Sequence, residues 1–263
     1  MVESSPISHG VGFFAGPLPR ILAHRGLATD APENTLLAFA AALALGITHL
    51  ETDVHSSVDG VAVISHDADL VRNAGIMGRV DELSFAELQK VDLGHGQNYP
   101  SLHEALLAFP EARFNIDLKS DAAVAPAVDA IRRAQATRRV LVTSFDNARR
   151  LRAVRLLPGV ASSASAVPFA GVLVAVKFGI VPLARHLLRG VQAVQVPERI
   201  WGVRVVSARS VRLLKCAGVE VHVWTINDPA DMRRLLDLGV DGLVTDRADL
   251  ALEVIAAGQS SRD

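Results

Sequence analysis

Cysteine is almost missing from this chain of 263 residues, which contains only Cys216. One cysteine excludes an intrachain disulfide and any zinc site that is built from several thiolates. It also suits a reducing compartment, so we expect a cytoplasmic protein. Cys216 lies in a helical pattern, VRLLKCAG, and we expect its side chain to pack in the core.

An excess of charge of either sign is also absent. The chain has 27 basic and 28 acidic residues, a net charge of −1, and half of its residues are hydrophobic. This balance argues against a general nucleic-acid binder, which needs a basic stripe, and it predicts a large core. The first residues show no basic segment followed by a long apolar run, so we expect no signal peptide. We predict a loose leader over residues 1–19 and one domain over residues 20–260.

A dinucleotide-binding glycine fingerprint, G-x-G-x-x-G, and a linker rich in Pro, Gly or Ser are missing too. What the chain does contain is eight short apolar segments, most of them followed by a helical pattern. Such strands are buried on both faces and are typical of a parallel sheet. The pattern predicts an α/β fold, a single-domain (β/α)8 TIM barrel with a short insertion after strand 2. A doubly wound open sheet is the alternative. The predicted strands are residues 20–23, the strand that opens the segment 47–67, and residues 113–118, 140–144, 159–163, 193–196, 219–225 and 242–245.

The segment Ile47–Asp67 is predicted to form a strand, a turn at Asp59-Gly60 and a second short strand, Val61–Ile64. Side chains two residues apart share one face of a strand, so Glu51 and Asp53 point the same way. Two adjacent carboxylates repel each other unless a cation lies between them. The flanking residues are apolar, which favours a buried strand over a solvated pair of acids. We therefore predict a metal site, and oxygen ligands favour Mg²⁺ or Ca²⁺ over zinc.

Polar residues also collect at the ends of other predicted strands. In a (β/α)8 barrel the active site lies at the carboxyl ends of the strands. Four of the predicted strands carry polar or aromatic residues there, which is more than chance explains. These residues are His24, Arg25, Glu51, Asp53, His66, Asp67, Asn115, Asp117, Lys119 and Trp224.

Together these residues resemble the glycerophosphodiester phosphodiesterase family, whose members form a phosphatidylinositol-phosphodiesterase-like barrel. The resemblance covers nearly the whole chain in the family's order. It implies a divalent metal ion held by Glu51, Asp53 and Asp117. One position departs from the family, because the third ligand is usually a glutamate and Asp117 is shorter by one methylene. The matching motifs are AHRG (23–26), PENT (32–35), ETDVHSSVDGVAVISHD (51–67), NIDLK (115–119), VHVWTIND (221–228) and LGVDGLVTDRADL (238–250).

The resemblance further implies an acid/base pair, His24 and His66, and contacts from Arg25 and Lys119 to the phosphate. The chemistry agrees, since a phosphodiester anion must be neutralised before it is attacked, and histidine transfers protons near neutral pH. Trp224 either fills the barrel core or forms a wall of the substrate pocket, and its place at a strand end favours the wall.

For other polar residues a structural role is expected or stays open. His55 shares the face of Glu51 and Asp53. For this residue, a role in supporting the site and a purely structural role are equally favoured. Asp67 is expected to orient His66 or to cap the loop, and Asp246 to cap the last helix. A structural role is expected for His9, His49, His95, His103, His186 and His222.

The expected function is metal-dependent hydrolysis of glycerophosphodiesters to an alcohol and sn-glycerol 3-phosphate. One alternative is a lysophospholipase D-like hydrolase of lysophospholipids, and another is an inactive barrel that binds phosphodiesters. A Schiff-base aldolase that uses Lys119 is less favoured, because carboxylates near the lysine would keep it protonated. The expected partner is a small phosphodiester and not a nucleic acid. The alcohol, the preferred metal and the oligomeric state stay open.

The segment Val167–Leu188 is almost entirely apolar and is predicted to be helical, in two pieces broken at Pro182. Its length approaches that of a membrane span, but a span here would separate the two halves of the barrel. Two interpretations remain. The segment is either an ordinary outer helix or an apolar lip near the active site that touches a membrane or an acyl chain.

Overall fold

Eight parallel strands form a nearly closed barrel in the computed structural model, which describes residues 12–200 and 202–260. Their order around the barrel is β6-β5-β4-β2-β1-β11-β10-β7, and a bridge between Ser163 and Ala193 joins the two ends. This confirms the predicted (β/α)8 architecture. The barrel strands are β1 (Arg20–His24), β2 (His49–Ser56), β4 (Arg113–Leu118), β5 (Val140–Thr143), β6 (Ala161–Ser162), β7 (Ala193–Pro197), β10 (Glu220–Trp224) and β11 (Gly242–Thr245).

Helices alternate with these strands and cover the outside of the barrel. One strand outside the barrel, β3 (Ala62–Ile64), pairs antiparallel with β2, and a small hairpin is formed by β8 (Arg199–Ile200) and β9 (Val203–Arg204). The helices are α1 (Leu36–Ala44), α2 (Val71–Ala74), α3 (Phe85–Leu88), α4 (Leu102–Ala108), α5 (Val124–Arg133), α6 (Asn147–Leu156), α7 (Ala166–Lys177), α8 (Val181–Leu187), α9 (Ala208–Cys216), α10 (Pro229–Asp237) and α11 (Ala248–Ser260).

Local sequence explains where these elements begin and end. All eight residues of β2 are buried, as expected for a strand covered on both faces. Ser84 and Glu87 form a capping box at the start of α3. Thr35 caps α1 by accepting a hydrogen bond from the backbone N–H of Ala38.

The amino-terminal end of the barrel is closed by a 3-10 helix, Gly12–Phe14, whose Phe13 and Phe14 side chains are buried. Phe13 packs edge-on against His49, and the Nε2 atom of His49 lies 2.8 Å from the carbonyl oxygen of Phe13. Here Arg20 forms a buried ion pair with Glu220 at 2.9 Å. The boundary between a leader (1–19) and the domain (20–260) stays a prediction, but from residue 12 onward the chain packs against the barrel.

Two local predictions are wrong. Cys216 is exposed, because the buried stripe of α9 runs through Val211 and Leu214 and residue 216 lies on the opposite side of the helix. The break in the apolar segment lies at residues 178–180. Pro182 instead occupies the first turn of α8, where its missing N–H has no intrahelical partner to lose.

The hairpin of β8 and β9 and the short helix α2 were not predicted. Both are too short to show a periodic pattern in the sequence. Among the described residues, none of the helices combines the length and the hydrophobicity that a membrane span requires.

Candidate active site

A cavity of about 1100 Å³ opens at the carboxyl ends of the barrel strands. All eight residues predicted to form the site line this cavity. Parallel strands bring their carboxyl ends to one rim, which is why residues far apart in the sequence meet here. These residues are His24, Arg25, Glu51, Asp53, His66, Asp117, Lys119 and Trp224.

The acidic wall of the cavity is built by β2 and β4, which pair so that Asp53 lies opposite Asp117 and Glu51 opposite Asn115. Burial, together with the charge of Asp53, raises the pKa of Glu51 to about 8. Burial also raises the pKa of Asp117, and Lys119 offsets only part of this effect. Burial alone would raise the pKa of Asp53, but Lys119 and Arg25 outweigh it and lower the pKa. The wall therefore attracts cations.

Two cationic side chains, Lys119 and Arg25, lie against this acidic wall. The Lys119 ammonium lies 2.7 Å from Asp53 and 2.7 Å from Asp117. Burial alone would lower the pKa of Lys119, but the two carboxylates hold it above its usual value. Lys119 is therefore a fixed cation and not a neutral amine. The Nε atom of Arg25 lies 3.2 Å from Asp53 without hydrogen-bond alignment, and its NH1 group donates to Glu33 at 3.0 Å.

Backbone geometry after β1 aims Arg25 into the cavity. Arg25 and Asn34 have positive φ angles of 58° and 57°. The N–H of Asn34 donates to the carbonyl of Arg25, and its side-chain amide donates to Asp53. Gly26 is required next to them, since a Cβ there would lie 2.7 Å from the backbone of Ala38. The AHRG and PENT motifs thus form one interlocked turn.

His24 is held from the neighbouring strand β11, which pairs with β1. Its Nδ1–H donates to Asp246 at 2.6 Å, and its Nε2 lies 3.8 Å from Glu51. Asn227 fixes Asp246 twice, by donating to its carboxylate at 2.7 Å and by accepting from its backbone N–H at 2.9 Å. Burial alone would lower the pKa of His24, but the hydrogen bond to Asp246 and the charge of Glu51 outweigh it and raise the pKa.

Sequence reasoning missed this role of Asp246, which was expected to cap the last helix. Asp246 directly follows the last barrel strand, and that position was the one available signal. Nothing local in the sequence links it to His24, which is 222 positions away.

His66 is held in a similar way by its neighbour. Its Nδ1–H donates to Asp67 at 2.7 Å, which confirms the predicted orienting contact. Arg72, on α2, pairs with both Asp67 and Glu33 and so links the support of His66 to the partner of Arg25. His55 Nε2 lies 3.2 Å from the carbonyl oxygen of His66, so His55 supports the loop rather than lining the cavity.

The remaining wall of the cavity is apolar. Trp224 lines it and makes an edge-on ring contact with Phe145 at 6.1 Å between centroids, which favours the pocket-wall interpretation. Phe169 and Leu173, from α7, line the same wall. The cavity thus joins a charged floor to a large apolar side.

The donor set suits a hard divalent cation, since it consists of carboxylate and amide oxygens. Two buried atoms there, Asn115 Oδ1 and Asp117 Oδ1, have no hydrogen-bond partner among the described residues. However, no three His, Cys, Asp or Glu residues in the described part of the chain lie close enough together to hold a metal ion. The Lys119 ammonium instead lies between Asp53 and Asp117. The ligands fit an ion by their chemistry, but binding it requires that Lys119 move.

Comparison with known proteins adds to this geometry. Residues 24–250 match the model of the glycerophosphoryl diester phosphodiesterase family. A protein of Mycobacterium tuberculosis named "Probable glycerophosphodiester phosphodiesterase 2" is 43% identical over 238 residues, which are 90% of each chain. A mouse protein named lysophospholipase D is 28% identical over 87% of this chain and 83% of its own.

A solved structure shows the same likeness. It is an Oleispira antarctica phosphodiesterase in complex with the product sn-glycerol-3-phosphate, 27% identical to this chain with a TM-score of 0.77. The match covers 91% of this chain and 97% of that one.

Proposed function

Because the chain belongs to the glycerophosphoryl diester phosphodiesterase family, we propose that it hydrolyses glycerophosphodiesters to an alcohol and sn-glycerol 3-phosphate with the help of a divalent metal ion. The observation that carries this proposal is the pair of histidines, His24 and His66. Each is oriented through Nδ1 by a carboxylate, and both line the cavity that holds Arg25 and Lys119.

The two cations prepare the cavity for an anionic phosphodiester. The guanidinium of Arg25 offers a planar pair of donors to two phosphate oxygens, and Lys119 offers a point charge. Both line the cavity and lie against carboxylates, so positive charge is already present where the phosphate would bind. Neutralising the phosphate lowers the barrier to attack by an oxygen nucleophile.

The histidines supply proton transfer. With Nδ1–H held by Asp246 or Asp67, each neutral ring leaves Nε2 as its acceptor. The raised pKa of His24 favours its protonated form, which carries a proton on Nε2 for the leaving alkoxide, while His66 accepts the proton of the attacking nucleophile at Nε2. This division leaves both groups in the opposite protonation state after the reaction, and solvent restores them.

A divalent ion held by Glu51, Asp53 and Asp117 would stabilise negative charge on the phosphate oxygens. The high pKa of Glu51 supports this part of the proposal, since burial and, after it, the charge of Asp53 disfavour the bare carboxylate and a bound cation would offset both effects. Titration calorimetry with Mg²⁺ or Ca²⁺ tests it without an activity readout. We expect binding that Asp53→Ala abolishes and that Asp81→Ala, an exposed acid outside the cavity, retains.

The reaction itself is tested by release of sn-glycerol 3-phosphate from a water-soluble glycerophosphodiester. We expect turnover that EDTA abolishes, and His66→Ala should lower kcat by about 10²–10⁴. His186→Ala, which removes an exposed histidine of α8, is the matched control. Turnover of His66→Ala within about twofold of the control would contradict the assigned role.

The apolar wall of the cavity supports a second candidate, hydrolysis of lysophospholipids. A volume of about 1100 Å³ slightly exceeds the usual range for pockets that hold drug-sized ligands, and Phe169, Leu173 and Trp224 line the cavity. Leu173→Asn should lower kcat/KM for a lysophospholipid about tenfold while the water-soluble diester is little affected. Equal loss on both substrates would leave the glycerophosphodiester as the sole candidate. The expected cytoplasmic location stays a prediction, and contact of residues 167–188 with a membrane is a separate proposal.

A further inference from the structure

Helix α7 lies across the mouth of the cavity rather than beside the barrel. Phe169 near its start and Lys177 at its end both line the cavity. At its carboxyl end, the backbone carbonyl of Lys177 accepts from Arg209, near the start of α9. The helix packs against α6, α8 and α9. Its outer side therefore faces away from the protein at the place where substrate enters.

The outer side of α7 is apolar. Val167, Val174 and Phe178 lie along one stripe of the helix and are 78%, 57% and 69% exposed. Ile180, just before α8, and Leu183, within α8, are also exposed. We call the five residues Val167, Val174, Phe178, Ile180 and Leu183 the mouth patch. Val174 also lines the cavity, so the patch continues into the apolar wall. A helix that is apolar on all sides is normally covered by something other than water.

Charge distribution indicates what covers it. Although the whole chain has a net charge of −1, residues 147–219 contain twelve basic residues and a single acid, Glu198. Glu198 is already neutralised, since it pairs with Arg204 and Arg234. The side chain of Arg209 donates to the backbone carbonyl of Lys177, next to Phe178 in the mouth patch. Part of this basic charge is used inside the protein, because Arg150 is buried and Lys215 pairs with Asp241. The basic side chains that are exposed near the mouth patch, and that are complementary to an anionic surface, are Lys177, Arg185, Arg189 and Arg209.

We infer that the mouth patch docks the protein on the surface of an anionic lipid bilayer, with Val167 and Phe178 in the interface and Lys177 and Arg209 near the headgroups. The apolar side chains would insert into the bilayer interface, and the basic side chains would be attracted to anionic lipid headgroups. A lipid surface also explains the continuity with the cavity wall, because an amphiphile could pass from one to the other. This last consequence rests on the proposed function, whereas the docking itself does not.

Co-sedimentation of the full chain with vesicles tests the inference. We expect binding to vesicles that contain about one-third phosphatidylglycerol, weak binding to pure phosphatidylcholine, and loss of binding as salt rises from ~0.1 to ~1 M. The double variant V167S/F178S should bind at least about tenfold more weakly, and R209E at least about fivefold. None of these three residues lines the cavity.

Matched controls separate docking from nonspecific effects. L107S removes a 57% exposed leucine of α4, and R138E reverses an exposed charge between α5 and β5, at the amino-terminal end of the barrel. Both should bind as the wild type does. Thermal unfolding checks that each variant is folded, and turnover of a water-soluble diester is measured on the same samples, so that failure of docking and failure of the proposed reaction are seen separately.

Two results would overturn the inference. One is wild-type protein that sediments no better with anionic than with neutral vesicles. The other is a dimer in solution that V167S/F178S converts to a monomer while neither protein binds vesicles, since the mouth patch would then be a contact between copies of the chain.

Discussion

At the scale of single residues, the site depends on carboxylates that hold histidines. Asp246 is the less obvious of the two carboxylates, since it reaches His24 from the end of the neighbouring strand β11 and is itself fixed by Asn227. A residue of this kind positions the ring, keeps the proton on Nδ1 and raises the pKa of the imidazole. Its effect on the reaction is therefore expected to depend on pH.

We predict that Asp246→Asn lowers kcat about tenfold or more. It should also move the alkaline limb of the pH profile to lower pH. The sign follows from the structure, because Asp246 raises the pKa of His24, and without its charge His24 loses its proton at a lower pH. Asp249→Asn, which affects an acid paired with Arg247 outside the cavity, is the control. A lower rate with an unchanged alkaline limb would argue that Asp246 serves the fold alone.

At the scale of elements, the insertion between β3 and α4 brings support to two parts of the site. Its own small core contains Val63, Leu70, Val80, Leu88 and Tyr99. From this platform Arg72 contacts Asp67, which holds His66, and Glu33, which holds Arg25. The insertion thus connects a proton-transfer group with a phosphate-binding group.

We expect Arg72→Ala to lower kcat/KM about three- to tenfold, because Asp67 and Glu33 lose a shared partner. The melting temperature should change little, since half of the Arg72 side chain is exposed and surface ion pairs contribute little to stability. Arg79→Ala is a matched control on the same insertion, where Arg79 pairs with the exposed Asp81. Equal kinetics for the two variants would mean that the link through Arg72 is not needed.

At the scale of the whole molecule, the two ends of the barrel hold their polar groups differently. At the mouth, charged groups surround a cavity. At the amino-terminal end, buried polar groups are satisfied internally and the 3-10 helix covers them. His49 is buried there between Phe13 and Thr48, and burial lowers its pKa to about 3. Arg20 and Glu220 pair beside it.

This end of the barrel is expected to make the fold sensitive to acid. The His49 pKa falls from 6.5 in the unfolded chain to about 3 in the fold. The stabilisation that depends on the neutral ring is complete above pH 6.5 and is lost as pH falls toward 3. Between pH ~7.5 and ~5, His49 should remove about 2 kcal/mol from the free energy of unfolding.

Urea unfolding of the wild type and of His49→Gln at both pH values measures this contribution. The variant should be less stable at the higher pH but should lose ~2 kcal/mol less between the two pH values, because glutamine does not titrate. His186→Gln, at an exposed position, should keep the dependence of the wild type. The same loss in all three proteins would show that other groups cause the sensitivity to acid.

The sequence by itself determined the barrel and most of the site. Strands β4 and β11 have the predicted bounds, because short apolar runs that are buried on both faces are local signals. Once eight parallel strands close, their carboxyl ends must share one rim. His24, Glu51, Asp117 and Lys119 could therefore be placed together without coordinates, and the cavity contains all of them.

Only the tertiary structure decided which groups face one another. The contact of Asp246 with His24 and the pair of Arg20 with Glu220 join residues 222 and 200 positions apart. No periodicity encodes such pairs, since each depends on the stagger of strands around the closed barrel. The position of α7 across the cavity mouth could not be predicted from the sequence either. A helix that is apolar on all sides does not reveal from its sequence which side meets the core, and packing against α6, α8 and α9 places it across the mouth.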